Sequence, residues 1–391
     1  MTTRIATDAP PLGPLGGVLD AARDHFAELL DDPVIGCPSA ARSLLLALLA
    51  ERAAPLLVVV PKASDADDVA DGIAAFLGNR SVAVFPAWET LPHERLSPQP
   101  ATVGQRLAVL DRLVRPTAGP VPLRAVVAPV RAVLQPMDPA LGERHPIELT
   151  TPFPGTFEGL VDQLAGLGYV RSPQVTTRGE FAVRGGIIDV FPTAAEHAVR
   201  GEFWGDDIES LRTFAVADQR TIGPVERVQV DPARELVLDA RARERAADLA
   251  QRHPTLRDQL GMLADGIAFD GAESLTTLLH PRPALLPDFF GGRGAIAILD
   301  PELAEQRADA LRAEAETLLD VAWETAAGHR PEDAGFADLD ELSNHGLPTT
   351  LFSPFAMDVE ASPWESFRGD VASLAERLRT LVADGVHVVV S

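Results

Sequence analysis

Residues Arg178 to Thr221 have the sequence RGEFAVRGGIIDVFPTAAEHAVRGEFWGDDIESLRTFAVADQRT. Apolar runs separated by glycine-containing turns predict a strand, a glycine turn, a second strand, a loop, a third strand and a further turn. The stretch therefore predicts a compact β platform that carries arginines and a tryptophan within a strongly acidic chain. Arginine and tryptophan are enriched at binding hot spots, so this composition favours a docking surface over a catalytic pocket.

Two arginines and the tryptophan are predicted to lie on one face of this platform. Side chains of a strand alternate between faces, so Arg200, Glu202 and Trp204 share one side, while the opposite side packs on the core. Arg184 precedes a Gly-Gly turn and also faces outward, so it can meet Arg200. The alternative is a structural role, in which Trp204 is partly buried and the arginines pair with Glu202, Asp206 or Asp207.

Buried strands alternate with helices on both sides of this region. The predicted strands are Leu56 to Val60, Val82 to Phe85, Arg124 to Ala128 and Arg293 to Leu299. The predicted helices are Asp20 to Leu30, Arg42 to Ala53, Asp65 to Leu77, Thr102 to Leu113, Phe157 to Leu167 and Pro301 to Ala327. This alternation predicts a three-layer α/β fold with a parallel sheet, which a β-rich block interrupts.

The predicted organisation has five parts. Residues 1–145 and 232–352 form an α/β domain in two parts, and residues 146–231 form a β-rich α+β insert between them. Residues 353–369 predict a linker, and residues 370–391 predict the start of a further small α/β domain. That last part combines a helix, Asp370 to Asp384, with a strand, Val386 to Val390, that has no partner strand here. We therefore expect the chain to be a fragment that ends inside another domain.

Composition excludes several kinds of protein. The chain has 391 residues, a formal charge of −23 and 46% hydrophobic residues, which fits two or three globular domains. Cys37 is the only cysteine, so an intrachain disulfide or a cysteine-based zinc site is impossible. The N-terminus lacks a signal-peptide pattern, and no segment reaches the roughly 20 apolar residues of a membrane span. We expect a cytoplasmic protein without membrane contact, whose acidity opposes tight binding of nucleic acid by this segment.

Gly36 to Ser43, GCPSAARS, has the frame of the phosphate-binding loop GxxxxGK[ST]. Ala41 stands in place of the second glycine, and Arg42 replaces the lysine, whose compact ammonium a planar guanidinium does not mimic. Pro38 removes one N–H from a loop that binds phosphate through backbone N–H groups, and only Ser43 keeps a side chain suited to magnesium. The stretch is either a degenerate phosphate loop or an ordinary βα turn. Both interpretations predict weak or no ATP hydrolysis.

A second nucleotide-binding element is also incomplete. Residues 295–302, AIAILDPE, resemble an apolar strand that ends in Asp-Glu. Asp300 is present, but Pro301 occupies the position of the water-activating glutamate. We therefore predict that this segment is not an enzyme and holds no cofactor or metal.

Several runs carry a resemblance to a known family. Residues 179–192 (GEFAVRGGIIDVFP), 202–212 (EFWGDDIESLR), 217–221 (ADQRT) and 85–92 (FPAWETLP) resemble the UvrB-homology module of the bacterial transcription-repair coupling factors (Mfd). Ser97-Pro98 and Gln105-Arg106-Leu107 resemble the same family, and the resemblance extends from about Ala21 to the C-terminus. Trp88 and His93 have no predicted function, although Trp88 is expected to be a packing anchor.

The resemblance implies a split RecA/helicase-like domain whose nucleotide site, here Gly36, Ala41, Arg42, Ser43 and Asp300, is degenerate. It also implies that the β-rich insert is the domain by which UvrB and this family bind UvrA. Arg184, Arg200 and Trp204 match the partner-binding positions, the last of which is often phenylalanine in the family. ATP, magnesium, RNA polymerase and double-stranded DNA are bound by family domains with no counterpart here. The UvrB-type β-hairpin that clamps damaged DNA has no match in the early α/β part.

Three functions stay open from the sequence. The first is a non-catalytic adaptor that recruits UvrA to DNA lesions at stalled RNA polymerase. The second is a UvrB-like module that binds ATP or damaged DNA. The third is an intramolecular regulator, in which the C-terminal part of a longer chain masks the β face; masking is compatible with the adaptor function because both can use one surface.

Overall fold

The computed structural model describes residues 12–91, 94, 96–117, 121–144, 146–325, 335–355, 358–359 and 370–385. These residues form one parallel sheet with helices on both faces, a second and mainly antiparallel sheet, and a small two-stranded sheet. The predicted α/β class is therefore confirmed, whereas the domain boundaries stay a prediction.

The first sheet is parallel throughout. Its strands, in sheet order, are β1 (Val34–Gly36), β14 (Thr349–Ser353), β13 (Ala295–Leu299), β2 (Leu56–Val60), β4 (Ala125–Pro129) and β3 (Val82–Val84). Every residue of β2, β4 and β13 is buried, as expected for strands covered on both faces. The four predicted strands are confirmed, but β14 was missed because its sequence, TTLFS, is not a continuous apolar run.

Helices cover both faces of this sheet. One core contains apolar residues of α2 (Ser39–Arg52) and α3 (Ala66–Leu77), and the other contains those of α4 (Pro100–Val114), α5 (Val130–Val133) and α10 (Pro301–Thr325). The helix predicted at Asp20 to Leu30 is wrong in position: α1 is Gly16–Arg23. Its buried residues, Gly16, Leu19 and Ala22, recur every three positions, and the prediction started after the first two.

The strands of the second sheet come between β4 and β13 in chain order. In sheet order they are β11 (Thr221–Pro224), β10 (Asp207–Phe214), β9 (Ala198–Trp204), β8 (Ile187–Val190), β7 (Glu180–Arg184) and β6 (Val170–Arg171). All neighbours are antiparallel except β6 and β7. Helix α6 (Phe157–Gly166) contributes Leu160 and Leu164 to the core on one face of this sheet. Beside it, β5 (Ile147–Thr150) pairs with β12 (Arg227–Val230).

The remaining elements are helical. A further core joins α7 (Ala240–Arg252), α8 (Arg257–Ala264) and α9 (Thr276–Leu279) to Ala315 and Leu319 of α10. Helices α11 (Leu339–Ser343) and α12 (Val371–Ala383) follow. The predicted strand Val386 to Val390 and most of the predicted linker lie outside the described residues. Within the described part of the chain, no helix has both the length and the apolar character that a bilayer crossing needs.

Candidate functional site

Two hairpins bring the predicted docking residues to the same end of the second sheet. Gly185-Gly186 connects β7 to β8, and Gly205-Asp206 connects β9 to β10. Gly185 and Gly205 have φ values of 59° and 63°, a left-handed region that glycine adopts without steric cost. Because β8 is antiparallel to both β7 and β9, the two turns lie at one end, next to Arg184 and Trp204.

Arg184 and Arg200 share one buried carboxylate, that of Asp189. Arg200 donates from Nε to Oδ1 at 2.6 Å and from Nη2 to Oδ2 at 2.8 Å, and Arg184 Nη2 donates to the same Oδ2 at 2.6 Å. The Asp189 side chain is fully buried, whereas that of Arg184 is 49% exposed. Within this group of three side chains, two positive charges face one negative charge, and the half-exposed one is that of Arg184. We name this sheet face, with Arg184, Asp189, Arg200 and Trp204, the arginine face.

Arg200 is less accessible than the strand alternation predicts. Its side chain is only 17% exposed, and its guanidinium carbon lies 4.6 Å from the ring centroid of buried Phe214. The hydrogen bonds that it donates to Asp189 raise the pKa of Arg200. The expectation that this face is wholly solvent-facing is therefore wrong. A small apolar cluster lies on the same side, formed by Val175, Ala182, Phe191, Ala198 and Phe214.

Trp204 is 78% exposed. The structural alternative is therefore wrong about the tryptophan. The structural alternative is correct that the two arginines pair with a carboxylate, but that carboxylate belongs to none of the residues it named. Glu202 accepts hydrogen bonds from Ser210 and Arg212. Asp206 accepts one from the backbone N–H of Phe157. Asp189 was not predicted as a site residue, although a carboxylate inside the apolar run IIDV is a signal for a buried ion pair.

The βα turn predicted as a degenerate phosphate loop is very short. Only Cys37 and Pro38 separate the end of β1 at Gly36 from the first residue of α2. Ser43 lies inside the helix and faces α3, where a Cβ added to Gly72 would come within 2.3 Å of the Ser43 Oγ. The expectation that Ser43 keeps access to a magnesium ion is therefore wrong.

Two of the other nucleotide-site candidates, Arg42 and Asp300, neutralise each other. Arg42 donates from Nη2 to Asp300 Oδ1 at 2.9 Å and from Nη1 to Asp300 Oδ2 at 3.2 Å. Asp300 has a φ of 47°, a left-handed value that is uncommon for a residue other than glycine. The cation that would contact phosphate and the carboxylate that would contact metal are thus bonded to each other.

A second carboxylate occupies the backbone donor of the turn. The N–H of Gly36 donates to Asp358 Oδ2 at 2.6 Å, and the N–H of Asp358 donates to the Gly36 carbonyl at 2.9 Å. A carboxylate at this N–H takes the place that a phosphate oxygen takes in a phosphate-binding loop. The residues present therefore do not fit ATP or magnesium. Within the described ranges, no group of three or more His, Cys, Asp or Glu side chains is arranged to hold a metal ion.

Trp88 is partly buried, and its Nε1 joins a buried polar network. Its Nε1 donates to Glu235 Oε1 at 2.9 Å, and the fully buried Arg106 donates from Nε to the same oxygen at 2.6 Å. This network fixes the segment after β3 and helix α4 to the chain after β12, so Trp88 has a structural position. Glu235 was not found from the sequence. His93 lies outside the described residues.

Comparison with known proteins supports the sequence resemblance. The family described as "UvrB interaction domain" matches residues 155–236, which include the whole arginine face. Curated proteins named transcription-repair-coupling factor are similar to the chain. That of Mycobacterium tuberculosis is 40% identical over 95% of this chain and 34% of its own length. That of Myxococcus xanthus is 35% identical over 71% and 25%, and that of Escherichia coli is 33% identical over 52% and 18%.

These matches and the fold define a protein that contains a UvrB interaction domain beside an α/β sheet domain. The chain belongs to the transcription-repair-coupling factor family. It spans about a third of the length of the first curated relatives that it matches.

Proposed function

We propose that this chain is a non-catalytic adaptor in transcription-coupled nucleotide excision repair, which recruits UvrA to DNA lesions at a stalled RNA polymerase. The observation that carries the proposal is the arginine face, with two arginines on one carboxylate and an exposed tryptophan. It lies within the residues that match the UvrB interaction domain. By the family resemblance, that domain is shared with UvrB because both bind UvrA.

The charge of the arginine face favours an acidic partner. Arg184 donates one hydrogen bond to Asp189 and is half exposed, while a guanidinium has five N–H donors in a fixed fork. Arg200 already donates to both carboxylate oxygens of Asp189 and to Gln219 Oε1. We therefore assign Arg184 the direct contact with a UvrA carboxylate and Arg200 the task of holding Asp189 and the local charge in place.

Trp204 supplies the apolar part of the contact. An indole that is 78% exposed gains free energy when a partner removes it from water, at about 25 cal/mol per Å² of apolar surface. The expected partner surface is thus an apolar pocket bordered by carboxylates, the arrangement typical of a hot spot.

The contacts at the βα turn support an adaptor over a UvrB-like ATP-binding module. A nucleotide would have to separate Arg42 from Asp300 and displace Asp358 from Gly36. RNA polymerase, double-stranded DNA and ATP with magnesium are proposed to bind family domains beyond this chain. Masking of the arginine face by the C-terminal part of the longer protein would show as weaker UvrA binding by the full-length protein than by this chain.

Calorimetric titration of UvrA into this chain and its Arg184→Ala variant tests the proposal. We expect the substitution to cost roughly 2 kcal/mol or more of binding free energy, the size of a hot-spot truncation. Arg227→Ala is the matched control, since Arg227 is an exposed arginine of the matched region that lies on the two-stranded sheet. Equal UvrA affinity for the wild type and Arg184→Ala would refute the site assignment.

Trp204→Ala tests the apolar half of the contact. We expect a loss of about 2 kcal/mol in UvrA binding with a change in the free energy of unfolding within about 0.5 kcal/mol, because the side chain is exposed. Phe355→Ala removes a similarly exposed aromatic side chain away from the second sheet and should not change binding. Loss of affinity in both variants would indicate a general surface effect and contradict the assignment.

A further inference from the structure

A cleft lies at the carboxyl edge of the parallel sheet, away from the arginine face. It has a volume of about 660 Å³, and its wall includes Pro61 after β2, Val84 at the end of β3 and Pro129 at the end of β4. Pockets for small ligands have volumes of roughly 300–1,000 Å³. The cleft is therefore large enough for a small molecule.

The cleft coincides with a topological switch point. Strands β2 and β4 are parallel neighbours, but the helices that follow them pack on opposite faces of the sheet. Helix α3 follows β2 and packs in one core, and α5 follows β4 and packs in the other. Open α/β sheets bind their ligands in the crevice that such a divergence creates at the carboxyl ends of the strands. The position of the cleft thus points to ligand binding independently of its charge.

Three cations from separate elements line this cleft in a chain of charge −23. They are Lys62 after β2, the only lysine of the chain, Arg131 of α5 and Arg307 of α10. Lys62 and Arg307 are exposed, and neither has an ion pair with another residue of the described ranges. Arg131 donates from Nη2 to the carbonyl of Thr90 at 2.7 Å, which fixes its guanidinium at the cleft.

The other lining groups favour a compact ligand. Apolar walls come from Pro86, Ala87 and Leu311, with the indole of Trp88 beside them. Asp67 also lines the cleft, and Glu89, Glu94 and Glu314 lie close enough to Arg131 to act on its charge. A long polyanion would extend over more of these carboxylates than a single phosphate or diphosphate does, so like-charge repulsion favours a compact anion.

We propose that this cleft binds the phosphate group of a small phosphorylated molecule through Lys62, Arg131 and Arg307, with the apolar walls holding the remainder. This site is separate from the βα turn at Gly36 to Ser43, whose arginine is already paired with Asp300. It gives the α/β sheet domain a ligand that its degenerate nucleotide elements do not provide.

Calorimetry with inorganic pyrophosphate tests the proposal. We expect saturable binding with a Kd of about 1 mM or tighter, corresponding to roughly 4 kcal/mol. The double variant Lys62→Ala with Arg307→Ala should weaken binding about tenfold or more while thermal unfolding shows an intact fold, because both side chains are exposed and form no ion pair with the described part of the chain. Arg257→Ala is the matched control, an exposed arginine at the start of α8, and should bind as the wild type does.

Several outcomes would overturn the proposal. One is the absence of saturable heat up to about 10 mM pyrophosphate, which is about ten times the weakest Kd expected here. Another is equal affinity in the wild type and the double variant. Loss of binding in Arg42→Ala alone would place the ligand at the βα turn instead. Tighter binding of a single-stranded oligonucleotide of about 12 nucleotides that the double variant abolishes would identify a nucleic-acid site.

Discussion

The chain contains the same contact, an arginine fork on an aspartate, in two regions with opposite consequences. At the βα turn, Arg42 and Asp300 pair one to one, so the two charges neutralise each other. On the arginine face, Arg184 and Arg200 share Asp189, so positive charge is left over. Whether an arginine in a motif can bind an anionic ligand therefore depends on how many carboxylates already pair with it.

The two regions also differ in what covers them. Asp358 bonds both backbone groups of Gly36, and the neighbouring Val359 is buried in the core beneath the turn. The arginine face instead ends in Trp204, which is exposed, between two glycine turns. One region is closed by residues of the chain itself, and the other presents its charge and its aromatic ring to a partner.

The largest effect that tests this comparison is expected from Asp189→Ala. The substitution leaves the nearly buried guanidinium of Arg200 without its partner, and breaking a buried ion pair in this way typically costs about 3–5 kcal/mol. We expect a loss of that order in the free energy of unfolding, measured by urea denaturation, together with the loss of UvrA binding.

Asp218→Ala is the control for this prediction, since Asp218 is about half exposed and its ion pair with Arg220, at 3.6 Å, is on the surface. Exposed pairs of this kind contribute about 0–1 kcal/mol. A stability change of equal size in Asp189→Ala and Asp218→Ala would mean that the shared carboxylate is not the structural centre of the arginine face.

The fold could be predicted from the sequence where one signal dominates. The apolar runs of β2, β4 and β13 are long enough to identify buried parallel strands, and proline at the first position of α10 marks its start. Strand β14 could not be predicted, because its burial comes from its position between β1 and β13 and not from its composition.

The sequence was sufficient to predict that Arg184, Arg200 and Trp204 share a face, but not to predict their contacts. Strand alternation placed Arg184, Arg200 and Trp204 on one side without any knowledge of the register. The sharing of Asp189 depends on the register of β8 against β9, which sets Asp189 opposite Arg200. The closure of the βα turn depends on Asp358, more than 300 residues away in the chain, and local sequence carries no information on such a contact.

Asp231 extends the comparison to a buried carboxylate with no arginine fork. It is 5% exposed and accepts a hydrogen bond from Gln229 at 2.9 Å, and burial raises its pKa above the usual value. A raised pKa in the folded state means that the folded protein binds more protons than the unfolded one, so this group's contribution to stability falls as the pH rises through the folded pKa. Its charge therefore destabilises the fold at neutral pH.

We expect Asp231→Asn to be more stable than the wild type at pH 7, by no more than about 1 kcal/mol. Asparagine keeps the oxygen that accepts from Gln229 and removes the buried charge. The difference should disappear as the pH falls from the raised pKa towards the ordinary aspartate value of about 3.9, where the wild type also becomes neutral. Urea denaturation at a series of pH values measures it. Lower stability of Asp231→Asn at pH 7 would show that attraction to Arg115 outweighs burial.

The smallest expected effect is that of restoring the consensus residues of the phosphate-binding loop at the βα turn, measured as nucleotide binding. Ala41→Gly with Arg42→Lys recreates the Gly-Lys pair of a phosphate loop, but the turn keeps its two residues, Cys37 and Pro38. The carboxylate of Asp358 still occupies the Gly36 N–H. We therefore expect no saturable heat on titration with ATP and magnesium, for the double variant as for the wild type. The expectation would be contradicted if the double variant bound ATP and a further Asp300→Ala substitution abolished that binding. In that case the pairing of Arg42 with Asp300, and not the geometry of the loop, would be what keeps ATP out of the wild-type turn.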